Sequence, residues 1–354
     1  MTPPNESAAP PVIELRDVHK RFVSQPGLLE KAIGALVGQP ARTRTVHAVN
    51  GISLQIQRGE VLGLVGESGC GKSTLGRIVA GLHAASAGQL LYQGRDVARL
   101  DKPALQAYTL GVQMVFQDPQ ASLNPRQRLR QTLGEPLQVH GLAGSAREVA
   151  ERVDAALAEV GLSPEYRDRL PHQLSGGQRQ RIGIARALMV QPQFLVCDEP
   201  VAALDVSIQA QVINLLMDLR AQRHLTCLFI SHDLGVVRHI SDRVGIMYLG
   251  KLVELASTDE VFRRAQHPYT QALLAEMPDV ARRKRQFIPI QGEIPSPLNP
   301  PSGCSFHPRC PRAIERCRQE VPPLRATAPG HWSACHGVNA MDSDVASDLD
   351  SPQP

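Results

Sequence analysis

The chain has 354 residues, 42% of them apolar, ample for a packed core, and its length suggests two domains or one with a sizeable appendage. Its 38 Lys and Arg against 34 Asp and Glu leave a net charge of +4, too small to point to nucleic acid without a basic stripe on a recognisable module. No run reaches the roughly 18 apolar residues that span a bilayer, and residues 1–11 have neither a basic start nor an apolar signal core, so the expected location is cytoplasmic, with any membrane work done through another protein's helices.

In chain order, residues 1–11 are rich in Pro, Ser and Ala and are expected to be disordered. Residues 12–15 read as a strand. Residues 24–45 read as an insertion in which Leu28, Leu29, Ala32, Ile33, Leu36 and Val37 recur at helical spacing. A short amphipathic helix is expected there, packed on the protein's own core or resting on a membrane partner. Residues 52–56 alternate, and 61–65 form the continuous apolar run of a buried parallel strand. Helical patterning dominates from about 96 to 190. Buried-strand runs return at 194–197, 226–231 and 244–248, with helices between. This alternation predicts an α/β fold with a mainly parallel sheet covered on both faces. The basic run 282–285 reads as a solvated face. Residues 287–337 are rich in Pro, Cys and Arg, and 338–354 carry four Asp and no Lys or Arg, the composition of a disordered acidic tail. There is no internal repeat.

Gly66, Glu67, Ser68, Gly69, Cys70, Gly71, Lys72 and Ser73 fit G-x-x-x-x-G-K-S, placed between the apolar run and a helical stretch that starts at Thr74. The glycines let backbone N–H groups curl around phosphate oxygens, and the following helix adds its positive end. Lys72 brings a charge to the outer phosphates and the Ser73 hydroxyl is a magnesium ligand. ATP and Mg²⁺ are therefore the expected cofactors. Far downstream the strand at 194–197 ends in Asp198 and Glu199. Asp198 is placed to hold magnesium and Glu199 to polarise the attacking water.

Leu174, Ser175, Gly176, Gly177 and Gln178, followed by a helical run to Val190, separate this chain from kinases and GTPases. Residues 174–188 read LSGGQRQRIGIARAL, and the sequence here resembles the ABC ATPase family, over residues 12 to about 260. The resemblance implies a P-loop NTPase (RecA-like) core with a helical subdomain at about 96–186. It implies that Ser175, Gly176, Gly177 and Gln178 cap the γ-phosphate held by a partner subunit, so that two ATP molecules lie between two such chains. It also implies a loop glutamine at Gln117 that contacts magnesium and senses the γ-phosphate, a dimer-communicating Asp205, a γ-phosphate switch at His232 and an adenine-stacking ring at Phe22. Lys72, Gln117, Glu199 and His232 then form the catalytic set.

Phe116, Gln117, Asp118 and Pro119, followed by Ser122, Leu123, Asn124, Pro125 and Arg126, are similar to the oligopeptide and dipeptide importer ATPases. His267, Pro268, Tyr269 and Thr270 open that subfamily's C-terminal extension, which spans 261–337 here. Ala202 departs from the subfamily's usual Ser. This resemblance implies two transmembrane permease subunits, a second ATPase subunit that is a paralogue, an indirectly coupled extracytoplasmic peptide-binding protein, and work at the cytoplasmic face of the inner membrane. Nickel, glutathione, opine and oligosaccharide importers share these features, so the cargo stays open. A soluble ABC ATPase acting on ribosomes or DNA is disfavoured, because the chain carries no tandem unit or coiled-coil insertion.

Seven cysteines in a cytosolic chain are not read as disulfides. Cys304, Cys310, Cys317 and Cys335 cluster, with five, six and seventeen residues between them and no C-x-x-C pair. Zinc usually shows such pairs, whereas these spacings suit a cluster ligated from separate loop corners. An iron–sulfur cluster, zinc and unligated thiols all remain open on spacing, and His307, His331 and His336 lie near enough in sequence to replace a ligand. The importer resemblance implies a 4Fe–4S cluster.

Overall fold

The computed structural model describes residues 10–24, 43–118, 122–277 and 292–339. The expected helix at 28–37, the basic run at 282–285 and nearly all of the acidic tail lie outside the described residues.

Strands β1 (Ile13–Ser24) and β2 (Arg44–Ile56) pair antiparallel from Ile13↔Ile56 to Ser24↔Arg44. The sequence pattern gave β1 only its first turn of alternation. Its outer half is exposed on both faces, so backbone pairing rather than side-chain burial holds it as a strand. β3 (Val61–Val65) is buried throughout and leads into α1 (Lys72–Val79). β4 (Ala87–Tyr92) and β5 (Arg95–Asp96) return to the first sheet, giving the order β2-β1-β4-β5. α2 (Lys102–Gly111) precedes β6 (Val112–Val115).

Three helices follow: α3 (Leu129–Val139), α4 (Ala146–Glu159) and α5 (Gly176–Leu188). Leu129, Leu133 and Leu137 repeat at i, i+4 and are fully buried against Val153 and Leu157 of α4. Ser145 caps α4 by accepting a hydrogen bond from the Glu148 N–H. β7 (Phe194–Asp198), α6 (Val206–Arg223), β8 (Thr226–Ser231), α7 (Leu234–Ile240) and β9 (Arg243–Tyr248) complete the alternation. β3 pairs parallel with β8 and β9, β8 with β7, and β7 with β6. These strands are buried on both faces, which is why their sequences are continuously apolar.

β10 (Lys251–Ser257) then runs antiparallel to β9, and α8 (Thr258–Arg264) and α9 (Pro268–Ala275) follow. The region read from sequence as aperiodic holds α10 (Glu315–Gln319), β11 (Arg325–Ala328), β12 (His331–Ser333) and α11 (His336–Asn339). β12 pairs with β10 through Glu254↔Ser333 and Leu255↔Trp332, so the chain's last strands extend the main sheet. A strand of three residues leaves too short a pattern to be seen in sequence.

A buried polar knot locks this junction. Glu254 on β10 is fully buried and accepts hydrogen bonds from the Gln266 N–H (2.7 Å) and the His267 N–H (3.0 Å). His331 Nε2 lies 2.7 Å from the same carboxylate. His267 is buried and its Nδ1 accepts from the Tyr269 N–H at 3.1 Å, capping α9. Burial drives the His267 pKa from its ordinary 6.5 down to about 4, against the opposing pull of Glu254. The unfolded chain therefore binds a proton that the folded chain refuses, and stability falls as pH drops from 6.5 toward 4. The expected contribution of His267 is a loss of about 2 kcal/mol between pH 7 and pH 5. In urea titrations His267→Asn, which keeps a capping acceptor but cannot charge, should lose correspondingly less over that interval than the parent chain. Equal acid sensitivity in both proteins would remove His267 as the cause.

Candidate active site

The phosphate loop leaves β3 and enters α1 with its backbone pressed against neighbouring chain. At Gly71, where φ is 105°, a Cβ would stand 2.1 Å from the Ala48 carbonyl oxygen, and at Gly66 one would stand 2.2 Å from that of Met247. Only glycine fits either position. Lys72 is buried, and its Nζ donates to the Gly66 carbonyl (2.6 Å) and the Glu67 carbonyl (3.0 Å). The Ser73 hydroxyl donates to Asp198 Oδ1 at 2.7 Å, joining the start of α1 to the end of β7. Burial raises the Asp198 pKa, opposed by that hydrogen bond and by the nearby Arg77. Ser68 and Gly69 are exposed, Thr74 is half-buried, and Cys70 is buried with its thiol pKa raised by that burial.

Three further predicted residues converge on one oxygen. Gln117 Nε2 donates to Glu199 Oε2 at 2.9 Å, and His232 Nδ1 lies 3.3 Å from the same atom. They follow β6, β7 and β8, which are adjacent in the sheet, so parallel pairing delivers all three to one edge. Glu199 sits at φ 46°, a left-handed conformation uncommon for a residue with a side chain, and its N–H donates to the Ile230 carbonyl at 3.0 Å. Strain of this kind persists where surrounding bonds over-determine it. Here it turns the carboxylate out of the sheet toward Gln117 and His232.

Ser175 and Gln178 form a reciprocal cap at the start of α5. Ser175 Oγ accepts from the Gln178 N–H (3.3 Å), and Gln178 Oε1 accepts from the Ser175 N–H (3.0 Å). Ser175 and Gly176 are exposed while Gly177 is buried. Among the described residues no hydrogen bond joins this turn to the phosphate loop. Gly176 instead shares a cavity of about 110 Å³ with Gln117 and Leu204. Asp205 precedes α6 as an exposed residue that makes no side-chain cap. Phe22 on β1 keeps 39% of its surface exposed, with the His83 ring edge-on at 5.7 Å.

The four clustered cysteines line one cavity of about 360 Å³ together with His307 and His336, and none of the four is in a disulfide. Burial pushes the Cys304 thiol up to about 11 and raises that of Cys310. Among the described residues no group of three His, Cys, Asp or Glu converges closely enough to hold a single metal ion. His331 faces Glu254 rather than this cavity.

Sequence reasoning missed two residues that touch the loop. The Arg309 guanidinium makes a bidentate ion pair with Glu67, and the Tyr269 hydroxyl accepts from the Glu67 N–H at 2.9 Å. Arg309 stands 242 positions from its partner, and no local spacing signals such a contact.

The convergence on Glu199 predicts that Glu199→Gln lowers ATP turnover by about 10²–10⁴-fold, the usual worth of a general base. Steady-state phosphate release reads the loss, and nucleotide titration should show affinity retained, because Lys72, Ser73 and Asp198 are untouched. Turnover at the parent rate would mean that another group takes the proton.

Residues 49–202 match the family model described as ABC transporter, and residues 253–317 match that of the oligopeptide/dipeptide transporter C-terminal region. The oligopeptide transport ATP-binding protein AppF of Bacillus subtilis is 51% identical over 329 residues, covering 92% of this chain and 97% of the relative. A probable peptide ABC transporter ATP-binding protein of Sinorhizobium fredii is 51% identical over 293 residues, 82% of each chain. Among solved structures, the dimeric ATP-binding cassette MJ0796 bound to ADP and Pi superposes with a TM-score of 0.59 at 26% identity, covering 70% of this chain and 98% of that one. The cassette cbiO1 of Clostridium perfringens, part of the transporter complex cbiONQ, gives a TM-score of 0.58 at 25% identity, covering 72% and 92%. With the phosphate loop, the Glu199 cluster and the α5 cap all in place on this fold, the chain belongs to the ATP-hydrolysing, ATP-binding subunits of ABC transporters, in the oligopeptide transport branch.

Proposed function

We propose that this chain drives import of di- or oligopeptides, hydrolysing ATP as one of two cassettes bound to two membrane permease subunits. The observation that carries the catalytic part is the meeting of Gln117 and His232 at one oxygen of Glu199, beside the cradle of Lys72, Ser73 and Asp198. Lys72, Ser68, the amides of 66–74 and the N-terminus of α1 bind the phosphates, and Phe22 offers its exposed ring to adenine. The hard oxygen donors of Ser73 and Asp198, already within 2.7 Å, fit magnesium with Gln117 nearby. Bound there, the ion offsets phosphate charge. Glu199 removes the proton of the attacking water, Gln117 orients that carboxylate, and His232 passes from Glu199 to the γ-phosphate as the switch.

The cap at Ser175, Gly176, Gly177 and Gln178, exposed at Ser175 and Gly176, supports a second anion site that faces another chain, with Asp205 at the same boundary. The partner in this reading is a paralogous ATPase. No helix among the described residues is long and apolar enough to cross a membrane. A groove of about 410 Å³ lined by Phe116, Glu135, Val139 and Arg186 offers the permeases a docking place between β6, α3 and α5. The chain then works at the cytoplasmic face of the inner membrane, and a peptide-binding protein acts from the other side. We assign 12–260 to the ATPase unit, with its helical part at 96–186, and 261–337 to the extension. Purification from native membranes in detergent should recover two permeases and a second ATPase, identified by mass spectrometry. Recovery with ribosomes, DNA or no membrane protein would withdraw the transport reading and leave the ATPase chemistry standing.

For the thiol cavity we propose a 4Fe–4S cluster on Cys304, Cys310, Cys317 and Cys335. Four soft thiol donors that line one cavity, with no C-x-x-C pair among them, support a multi-iron cluster over tetrahedral zinc. The cluster would crosslink the extension's loops and lower the thiol pKa values that burial raises. Anaerobic purification should give brown protein with about four iron and four sulfide per chain. Colourless protein with one zinc would sink the assignment.

A further inference from the structure

Glu67 is held at every polar group it has, and two of its four holders, Tyr269 and Arg309, come from the C-terminal extension; the Cys70 N–H also donates to its carbonyl, at 3.3 Å. Its carbonyl accepts from Lys72 Nζ at 3.0 Å. Its N–H donates to Tyr269 Oη at 2.9 Å. Its carboxylate accepts the two arms of the Arg309 fork at 2.7 and 2.9 Å. The Arg309 side chain is 5% exposed and that of Glu67 20%, so the pair is shielded from water. Behind them the rings of Tyr248, Tyr269 and Phe306 stack within 4.7–5.3 Å of one another, all buried.

Arg309 is also tied to the thiol cavity by its position. It ends a 3-10 turn, His307–Arg309, between Cys304 and Cys310. That turn is closed by the His307 N–H on the Cys304 carbonyl (3.0 Å) and the Cys310 N–H on the His307 carbonyl (3.3 Å). Whatever fixes the Cys304 and Cys310 sulfurs therefore fixes the root of the Arg309 side chain.

We propose that Arg309 and Tyr269 are positioning residues for nucleotide binding, through which the C-terminal thiol site sets the affinity of the phosphate loop in the same chain. The inference rests on the nucleotide-site reading above. A loop ordered before ATP arrives loses little conformational freedom on binding, whereas a loop released at Glu67 must be ordered at that moment. Neither Arg309 nor Tyr269 touches the nucleotide; both act through Glu67.

The test uses the full-length chain, ATP titration and backbone hydrogen exchange at residues 67–70. Arg309→Gln should raise the ATP Kd about tenfold, the scale of re-ordering one or two residues. Tyr269→Phe should act in the same direction. Arg309→Lys should restore only part of the affinity, since an ammonium supplies the charge without the fork. Amide exchange at 67–70 should speed up in each variant. Cys310→Ser should raise Kd in the parent chain but add nothing to Arg309→Gln, because both break one connection. Unchanged Kd and exchange in Arg309→Gln and Tyr269→Phe, with only a lower melting temperature, would overturn the proposal and leave a plain structural bolt. Additive effects of Cys310→Ser and Arg309→Gln would overturn the link to the thiol site. If Cys310→Ser fails to fold, the Arg309 and Tyr269 variants still decide the positioning role. Lys72→Ala separates the two readings: if it leaves ATP binding intact, the nucleotide site itself is misplaced.

Discussion

The parallel pairing of β3 with β8, and of β8 with β7, is the constraint from which the geometry of the proposed catalytic groups follows. Parallel strands joined by crossover helices all point their carboxyl ends to one edge of the sheet. That single fact places Lys72 and Ser73 after β3, His232 after β8 and Asp198 with Glu199 at the end of β7. The strands are buried on both faces, so slipping one by a residue would exchange its two sets of side chains between packed layers. The registry of an apolar core thereby sets the spacing of the polar groups at its edge.

At the edge, polar groups are positioned by other polar groups. Ser73 locates Asp198, and Gln117 with His232 locates Glu199, whose backbone is held in a left-handed turn by its bond to Ile230. The strained turn is a local cost offset by strands packed on either side. The α5 cap solves a different problem. Its first amides lack partners inside the helix, and Ser175 with Gln178 satisfies two of them while leaving the positive end open to solvent.

The C-terminal extension is bonded to this machinery at two depths. β12 joins the main sheet beside β10, where the fully buried Glu254 ties His331 and the start of α9 together. Arg309 and Tyr269 then reach past that junction to the phosphate loop. A buried carboxylate without partners would be costly, and fully buried Glu254 finds its partners only in the docked extension, through Gln266, His267 and His331.

Much of this was legible before folding. The phosphate loop, Asp198 and Glu199, the α5 cap motif and the apolar strands each rest on residues close together in the chain, where spacing maps directly onto local backbone geometry. The continuous apolar runs, alternating with helices, marked the parallel strands for the same reason, while the period-2 run at 52–56 belongs to the antiparallel sheet. The outer half of β1, the three-residue β12 and the Glu254 knot were not legible, because their stability comes from partners far away in sequence rather than from their own pattern. The meeting of Gln117, Glu199 and His232 on one oxygen, and the grip of Arg309 on Glu67 across 242 positions, were decided by tertiary packing alone. Sequence by itself determined which chemical groups this protein carries and on which local elements; only the folded sheet decided which of them touch, since distance in space between remote residues is set by packing and not by spacing along the chain.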